Sequence, residues 1–554
     1  MSGFIHRHRL LLLSLLTGLL LSLGWPARGF PFLTLFALVP LLWVEDQLLK
    51  HRDRHRAISI LWLSWLAFLV FNLCTTWWIW YASAPGMLVA MVLNALFMAI
   101  PVTLMHLARR VLPGRQGQAS LLFFWLSFEY LHARWDLSWS WLDLGNAFAA
   151  YPSWVQWYEY TGVAGGTAWI LAMNLLLFSA HKQYAGTAGS TRRLRILGVL
   201  SLLVFAVPPA VSFFLWGSYE EKHDPVEVVV VQPSIDPYDR ARTPDEVHRR
   251  VRHMIGLAEA KTGSATRFVV APEGANPQGI WMHQAEDNPM VQAVRYHVDQ
   301  HADLTWVFGS MVYRRYGPSE PAPRTARQDP GSSLVYDVFN SAVMVEAGQP
   351  PAYYHKSKLV PGIEKMPFYQ VLQPVGRLVE RFGGTAGSLG VQDHRGVFSA
   401  GGHAAAPVVC YESVYGDYMR EYYYRGAGLV FIITNDGWWR NTPGHRQHNQ
   451  YARLRAIEAR RSIARAASTG ISSFINQRGE VLEQSAWWEP VAMVHTLNQN
   501  HHITYFVLHG NYLGKLGLFL SFLLILYMAS RRLMHRENGM TGSAKKGAAG
   551  GGRT

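Results

Sequence analysis

The spacing of apolar and polar positions changes once along this chain, near residue 218. Before that point, apolar runs recur at the length a helix needs to cross a bilayer, roughly 20 residues. The pattern predicts spans over 10–27, 29–44, 57–80, 86–108, 116–132, 164–181 and 196–217, and an eighth over 512–530. From Ala57 to Ala108 there is no Asp, Glu, Lys or Arg, and Pro85-Gly86 divides this run into a hairpin of two helices. The 116–132 run is weaker because Glu129 enters it. Residues 1–27 also fit a secretory signal, with a basic start, an apolar middle and small residues. Six further spans follow directly, which favours a retained first helix.

Beyond residue 218 the apolar runs shorten. Glu227-Val228-Val229-Val230-Val231 reads as a buried strand ending at Gln232-Pro233, with further strands at 267–271, 304–310, 341–346, 407–410 and 429–434. Helical spacing appears at 244–261, 289–301 and 447–467. Alternating strands and helices predict an α/β layered domain whose helices cover sheets on both sides. The segment 317–331 is polar and Pro-rich, hence a surface loop, and the tail after Arg536 is rich in Gly, Ala and Lys, the composition of a disordered segment. The plan is a seven-helix membrane domain over 1–217, an extracytoplasmic domain over 218–511, a last span over 512–532 and a cytoplasmic tail over 533–554.

Composition sharpens this partition. Of 554 residues only 16% are charged, and the first 217 residues hold 22 of the 88 charged side chains but 15 of the 21 Trp. The net charge of +14 first points to nucleic acid. Its distribution points elsewhere. With the N-terminus inside, the inside segments carry Arg7 and Arg9, then Lys50, Arg52, Arg54 and Arg56, then Arg109, Arg110 and Arg115, then Lys182, Arg192, Arg193 and Arg195. The outside loops at 25–30, 81–86 and 132–165 hold only Arg28 and Arg134. This is the positive-inside bias, and it places the α/β domain on the outer face of a membrane with no call for nucleic acid. The outside loop at 132–165 carries Trp135, Trp139, Trp141, Trp154 and Trp157, the residues of an interfacial aromatic belt or of a rim that receives a lipid.

Two cysteines exclude a disulfide framework. Cys74 lies in an apolar run and reads as inert packing, so Cys410 is the one thiol of the α/β domain. It stands at a strand end, Pro407-Val408-Val409-Cys410-Tyr411-Glu412, where a turn into a helix exposes a nucleophile and points backbone N–H groups at its substrate. Two other strand ends carry chemistry: Val270-Ala271-Pro272-Glu273, and Tyr353-Tyr354-His355-Lys356-Ser357-Lys358-Leu359-Val360-Pro361-Gly362-Ile363-Glu364. Taken singly, each has a structural reading: a surface carboxylate, a solvated lysine, a buried thiol. His445-x-x-His448 lacks further ligands at metal spacing, so neither a metal nor another cofactor is expected. Gly383-Gly384-Thr385-Ala386-Gly387 is not a phosphate loop, because no Gly-Lys-Ser/Thr follows. The Arg-rich run from Arg453 to Arg465 reads as a helix with one solvated face.

Glu273, then Lys356 in a Tyr-x-Lys-x-x-Leu-Val-Pro segment, then Cys410-Tyr411-Glu412, in that order, resembles the nitrilase (carbon–nitrogen hydrolase) superfamily, whose fold is an α-β-β-α sandwich. Set between seven spans and one, such a domain resembles the apolipoprotein N-acyltransferase family over nearly the whole chain. The resemblance extends to Thr434-Asn435-Asp436-Gly437-Trp438-Trp439 and to the helix bearing His448, Arg453, Arg455 and Glu458. It implies Glu273 as general base, Lys356 as the cation at the reacting centre and Cys410 as nucleophile. Glu364, Tyr411 and Glu412 would then support them, with Trp438 and Trp439 as substrate contacts. Gly362-Ile363-Glu364-Lys365 stands where many members have Phe-Gly-Glu, Gly437-Trp438 where many have Ala-Trp, and 233–243 lacks an early Trp.

The chemistery is coherent on physical grounds as well. A free thiol, with a pKa of about 8.5, is mostly protonated at neutral pH and needs a base to attack. Glu273 supplies one, and Lys356 with the N–H of Tyr411 stabilises the thiolate and the tetrahedral oxyanion. The resemblance implies a phospholipid acyl donor, a diacylglyceryl-apolipoprotein acceptor and a bacterial inner membrane around a monomer. A membrane-tethered amidase that uses water as acceptor, and a catalytically silent lipid-binding scaffold, are the alternatives.

Overall fold

The computed structural model describes residues 2–549 apart from 28, 53–55, 113–114, 186–189, 240, 302, 330, 373, 375, 377–384 and 386. Residues 383, 384 and 386 of the Gly-rich segment therefore lie outside the described residues. The apolar first part folds into α1 (Ser2–Leu23), α2 (Val39–Lys50), α3 (Ile58–Thr76), α4 (Ala84–Val111), α5 (Arg115–His132), α6 (Val163–Ala185) and α7 (Thr191–Ser218). The hairpin expected at Pro85-Gly86 forms: Ser83 Oγ accepts the Gly86 N–H at 3.1 Å and caps α4.

Six segments among the described residues are long and apolar enough to cross a membrane: Pro31–Lys50, Ile58–Tyr81, Ala84–Val111, Val163–Ala185, Thr191–Ser218 and Tyr512–Met534. The expected eight are reached only by adding two helices that fall short. The apolar part of α1 is His8–Leu23, and α5 opens on Arg115-Gln116-Gly117-Gln118 and carries Glu129. Glu129 is buried and compensated, accepting from Trp125 Nε1 and Leu144 N at 2.9 Å each and from Thr167 Oγ1 at 2.7 Å. Cys74 lies exposed on the outer face of α3 rather than packed inside it.

The second span runs on to Lys50 rather than stopping at 44. Its acidic pair is not at a wet helix end: Glu45 and Asp46 are buried among α2, α4 and α6. Glu45 pairs with Arg109 and with His106 Nδ1 at 2.7 Å, and Asp46 pairs with Arg109 at 2.8 Å and with Lys182 at 2.5 Å. Two of the cations that mark the inside loops thus also hold three helices together.

The α/β part contains β1 (Pro225–Gln232), α8 (Pro244–Glu259), β2 (Thr266–Val270), β3 (Ile280–Trp281), α9 (Pro289–Asp299), β4 (Thr305–Tyr316), β5 (Arg327–Gln328), β6 (Val335–Glu346), β7 (Ala352–His355), β8 (Phe398–Ala400) and β9 (His403–Val409). It continues with α10 (Gly416–Tyr424), β10 (Leu429–Thr434), α11 (Pro443–Ala459), β11 (Ser462–Ala467), β12 (Ser473–Ile475), β13 (Val481–Gln484), β14 (Val491–Asn498) and α12 (Tyr512–Ala549). One sheet has the order β14-β1-β2-β4-β6-β5, with β3 on β4 and β7 on β6; the other has the order β13-β12-β11-β10-β9-β8. The sheets stack face to face, with Phe268 and Phe431 edge-on at 5.0 Å between them. The valine run of β1 is continuous because both its faces are covered: Val226, Val228 and Val230 face the second sheet, while Val229 and Val231 face α8 and α9. This is the α-β-β-α sandwich.

Two expectations fail here. The helix read over 447–467 spans only Pro443–Ala459. Arg460 then turns left-handed, at φ +50°, and Ser462–Ala467 is the strand β11, paired with β10 and β12. The alanine-rich stretch has helical propensity, but a slot between two strands overrides it. Nor is the Arg run solvated: Arg455, Arg460, Arg461 and Arg465 are all buried. The final helix continues to Ala549, past the expected start of a disordered tail.

Replacing Arg109 with Ala removes the one cation shared by two buried carboxylates, and breaking a buried ion pair typically costs about 3–5 kcal/mol. Thermal unfolding of the detergent-solubilised chain will show a clearly lower Tm for Arg109→Ala. A Tm equal to that of the native chain would mean the cluster does not hold the bundle.

Candidate active site

Three strand ends of the two sheets meet at one edge of the sandwich. After β2, the Ala271 N–H bonds to Val307 O at 2.8 Å and Pro272 O accepts from Gly309 N at 3.0 Å, which fixes Glu273 beside β4. A Cβ on Gly309 would lie 2.5 Å from the Glu273 Cα, so the glycine is required for this close approach. After β7, the Lys356 N–H bonds to Asn340 O on β6 at 2.8 Å and carries the side chain inward. After β9 comes Cys410, at φ +49°. A left-handed, non-glycine residue is strained by about 1–3 kcal/mol, and such strain recurs where a nucleophile is held on a sharp turn.

Lys356 is 1% exposed. Its Nζ lies 2.8 Å from Glu364 Oε1 and 3.7 Å from Glu273 Oε1. Asn340 Nδ2 donates to both carboxylates, at 2.6 Å to Glu273 and 2.9 Å to Glu364. Glu273 Oε2 accepts the Asn435 N–H at 3.1 Å, and Glu364 Oε2 accepts that of Val360 at 2.8 Å. Burial alone would lower the Lys356 pKa, but Glu364 and then Glu273 raise it above the ordinary range, so the group stays an ammonium. Burial pushes the Cys410 thiol up and Glu273 pushes it further, while Lys356 and the Thr434 hydroxyl pull it back. The resting centre is therefore a neutral thiol beside a fixed cation and a carboxylate. It can release a thiolate only when a proton acceptor and a charge partner act together.

The turn at Cys410 is held from behind. Cys410 O accepts from Ser413 Oγ at 2.7 Å and lies 3.3 Å from His448 Nε2. His448 Nδ1 is 3.0 Å from Asp436 Oδ1, whose partner oxygen receives Arg465 Nη2 at 2.6 Å. His448 thus packs behind the Cys410 turn. Glu412 is fully buried and accepts from Ser357 N at 2.8 Å, Lys358 N at 3.2 Å and Val409 N at 3.0 Å, together with the hydroxyls of Tyr354 at 2.8 Å and Tyr418 at 2.5 Å. It ties the backbone following Lys356 to the backbone preceding Cys410.

Glu273, Lys356, Glu364 and Cys410 thus converge, with Glu412 behind them. The Tyr411 side chain points away from them, donating to Ser138 O of the helix-bundle loop at 2.8 Å. Trp439 packs at 4.6 Å from Trp78 and 5.6 Å from Trp141, and Trp438 is exposed beside Tyr238 at 5.1 Å. The loop at 132–165 is neither a simple belt nor an open rim at Trp141, which is buried against the α/β domain with its Nε1 on Gln447 Oε1 at 2.8 Å. Sequence reasoning missed Asn340, whose signal is a lone amide inside the buried strand Val338-Phe339-Asn340-Ser341-Ala342, and the ion pair Asp436–Arg465.

Residues 17–176 match the family model described as the apolipoprotein N-acyltransferase N-terminal domain, and residues 227–501 match the carbon–nitrogen hydrolase model. The apolipoprotein N-acyltransferase of Chlorobaculum tepidum is 28% identical over 539 residues, covering 94% of this chain and 96% of that protein. That of Allorhizobium ampelinum is 26% identical over 488 residues, covering 85% and 86%. A solved nitrilase-superfamily structure from Saccharomyces cerevisiae is similar at 14% identity and a TM-score of 0.34, covering 50% of this chain and 90% of that one.

Glu412→Gln replaces one buried acceptor oxygen with a donor that opposes N–H and O–H groups, a mismatch of about 1–3 kcal/mol or more for a charged acceptor. Alkylation of Cys410 by iodoacetamide, followed by mass spectrometry, will change in rate and pH profile in this variant. In the native chain, labelling will be slow at pH 7.5 and will rise steeply with pH. Fast labelling near neutrality would contradict a raised thiol.

Proposed function

We propose that this chain, which belongs to the apolipoprotein N-acyltransferase family, moves an acyl chain from a membrane phospholipid to the α-amine of the diacylglyceryl-modified N-terminal cysteine of a lipoprotein. The observation that carries this reading is a cysteine, lysine and glutamate centre in a carbon–nitrogen hydrolase domain that is itself bonded to an apolar helix bundle. Glu273 takes the Cys410 proton, and the thiolate attacks the ester carbonyl of the donor. Lys356 Nζ and the Tyr411 N–H hold the tetrahedral oxyanion. Its collapse breaks the ester C–O bond, and the leaving glycerol oxygen takes the proton from Glu273, so a lysophospholipid departs and a thioester stays on Cys410.

The amine of the acceptor then attacks the thioester and gives its proton to Glu273. The C–S bond breaks, an amide is formed, and the Cys410 thiolate is reprotonated. No net proton is consumed in this ping-pong cycle. Glu364 holds Lys356, Glu412 holds the two loops, and Trp438 with the open edge of Trp439 contacts the acyl chains. The lysine and arginine distribution supports an outer-face catalytic domain on a bacterial inner membrane, and the reading takes the chain as a monomer. An amidase that ends on water would have no use for so extensive a membrane frame.

Mass spectrometry of lipoprotein N-termini from cells depleted of this protein will show loss of the third, amide-linked acyl chain, restored by the native gene and not by Cys410→Ser. Lys356→Met will lower thioester formation by about 100-fold or more, the scale seen when one oxyanion contact is removed. An active Cys410→Ser chain would sink the thioester route.

A further inference from the structure

A groove of about 630 Å³ lies behind the Glu364 loop, within the size range of small-molecule sites. Glu364 closes a turn that starts at Val360, and Lys365 next to it bridges to Ser388. Glu364 goes to Lys356 and Lys365 lines the groove. Arg324 and Arg327 line its far wall, and neither has an ion-pair partner among the described residues. Both project from a fixed backbone: Thr325 Oγ1 bonds to Asp337 at 2.8 Å, and Arg327 pairs with Tyr336 at the sheet edge. The floor comes from the helix bundle, because Asp136, in the loop after α5, pairs with Lys365 at 3.2 Å and accepts the Phe368 N–H at 2.9 Å. Three cations thus face one carboxylate. Phe368 and Val371, 41% and 75% exposed, make the groove apolar at one side.

From this juxtaposition we infer that the groove binds the phosphodiester of a membrane lipid headgroup, with Arg324 and Arg327 on the phosphate oxygens and Phe368 and Val371 against the glycerol and the chains. Planar guanidinium forks match phosphate oxygens, and the loop of Asp136 follows the apolar helix α5, where the bundle meets the α/β domain. The inference rests on the phospholipid-donor reading and names the part of the donor that is held.

The test uses the full-length chain in mixed micelles, with thioester formation on Cys410 read by intact mass spectrometry. For R324Q/R327Q the KM for phosphatidylglycerol will rise about tenfold with kcat unchanged, as expected on losing charge-assisted contacts. The KM for diacylglycerol, the same ester without phosphate, will not move. An unchanged KM for phosphatidylglycerol, or an equal rise for diacylglycerol, would overturn the inference. No thioester on the native chain from phosphatidylglycerol would instead defeat the donor reading. Binding is therefore also read without chemistry, as 31P line broadening of short-chain phosphatidylglycerol by C410A. Broadening that is lost in C410A/R324Q/R327Q supports the groove. Broadening that persists there, or that inorganic phosphate at equal concentration abolishes, overturns it.

Discussion

An ammonium group sealed from water has to be compensated where it stands, and the candidate site of this protein is arranged around that requirement at Lys356. Desolvating such a charge costs several kcal/mol unless opposite charges and hydrogen bonds replace the lost water. Glu364 and Glu273 supply the charges, and these carboxylates in turn need donors of their own. Asn340 Nδ2 serves both, while the N–H groups of Asn435 and Val360 complete them. The donors come from β6, from the end of β10 and from the loop after β7. The charge of one lysine therefore binds together the ends of both sheets, and the thiol of Cys410 is delivered into a field that already exists. Preorganised charge of this kind needs no rearrangement when an oxyanion forms.

A second constraint acts through α11. One side of this helix faces the bundle: Gln447 Nε2 bonds to Thr75 O at 3.2 Å, the Tyr451 hydroxyl bonds to Trp141 O at 2.8 Å, and Arg453 reaches Ala150 O at 3.0 Å. Its other side supports the Cys410 turn, through His448 near Cys410 O and through Arg455 on Val414 O at 2.8 Å. The helix bundle and the Cys410 turn are thus positioned by the same helix. The buried cations of this region, Arg455 and Arg465, are matched by Glu458 and Asp436. Asp436 shows how strong the matching is: burial would raise its pKa, yet Arg465 and His448 hold it well below the usual carboxylate range.

Much of this was legible before any coordinates. The valine run of β1 and the hairpin at Pro85-Gly86 follow from apolar spacing, while roles for Glu273, Lys356 and Cys410 are what the family resemblance of their motifs implies. The Arg453–Arg465 run was not legible. Its alanines favour a helix and its arginines favour water, and both preferences lose to strand pairing with β10 and to partners on other segments such as Asp436 and Glu159. The burial of Glu45 and Asp46 was not legible either, since Arg109 and Lys182, which pair with them, lie on α4 and α6.

By itself, then, the sequence determined what is local: which stretches are apolar enough for lipid, which alternate as strands and helices, and which side chains carry a thiol, an ammonium or a carboxylate. Only the tertiary structure decided which charges are buried, that Asn340 couples two carboxylates, that Tyr411 reaches the bundle, and that Arg324, Arg327 and Lys365 share a groove with Asp136. A buried charge is tolerated only where partners from distant segments desolvate with it, and no local pattern records which segments those are.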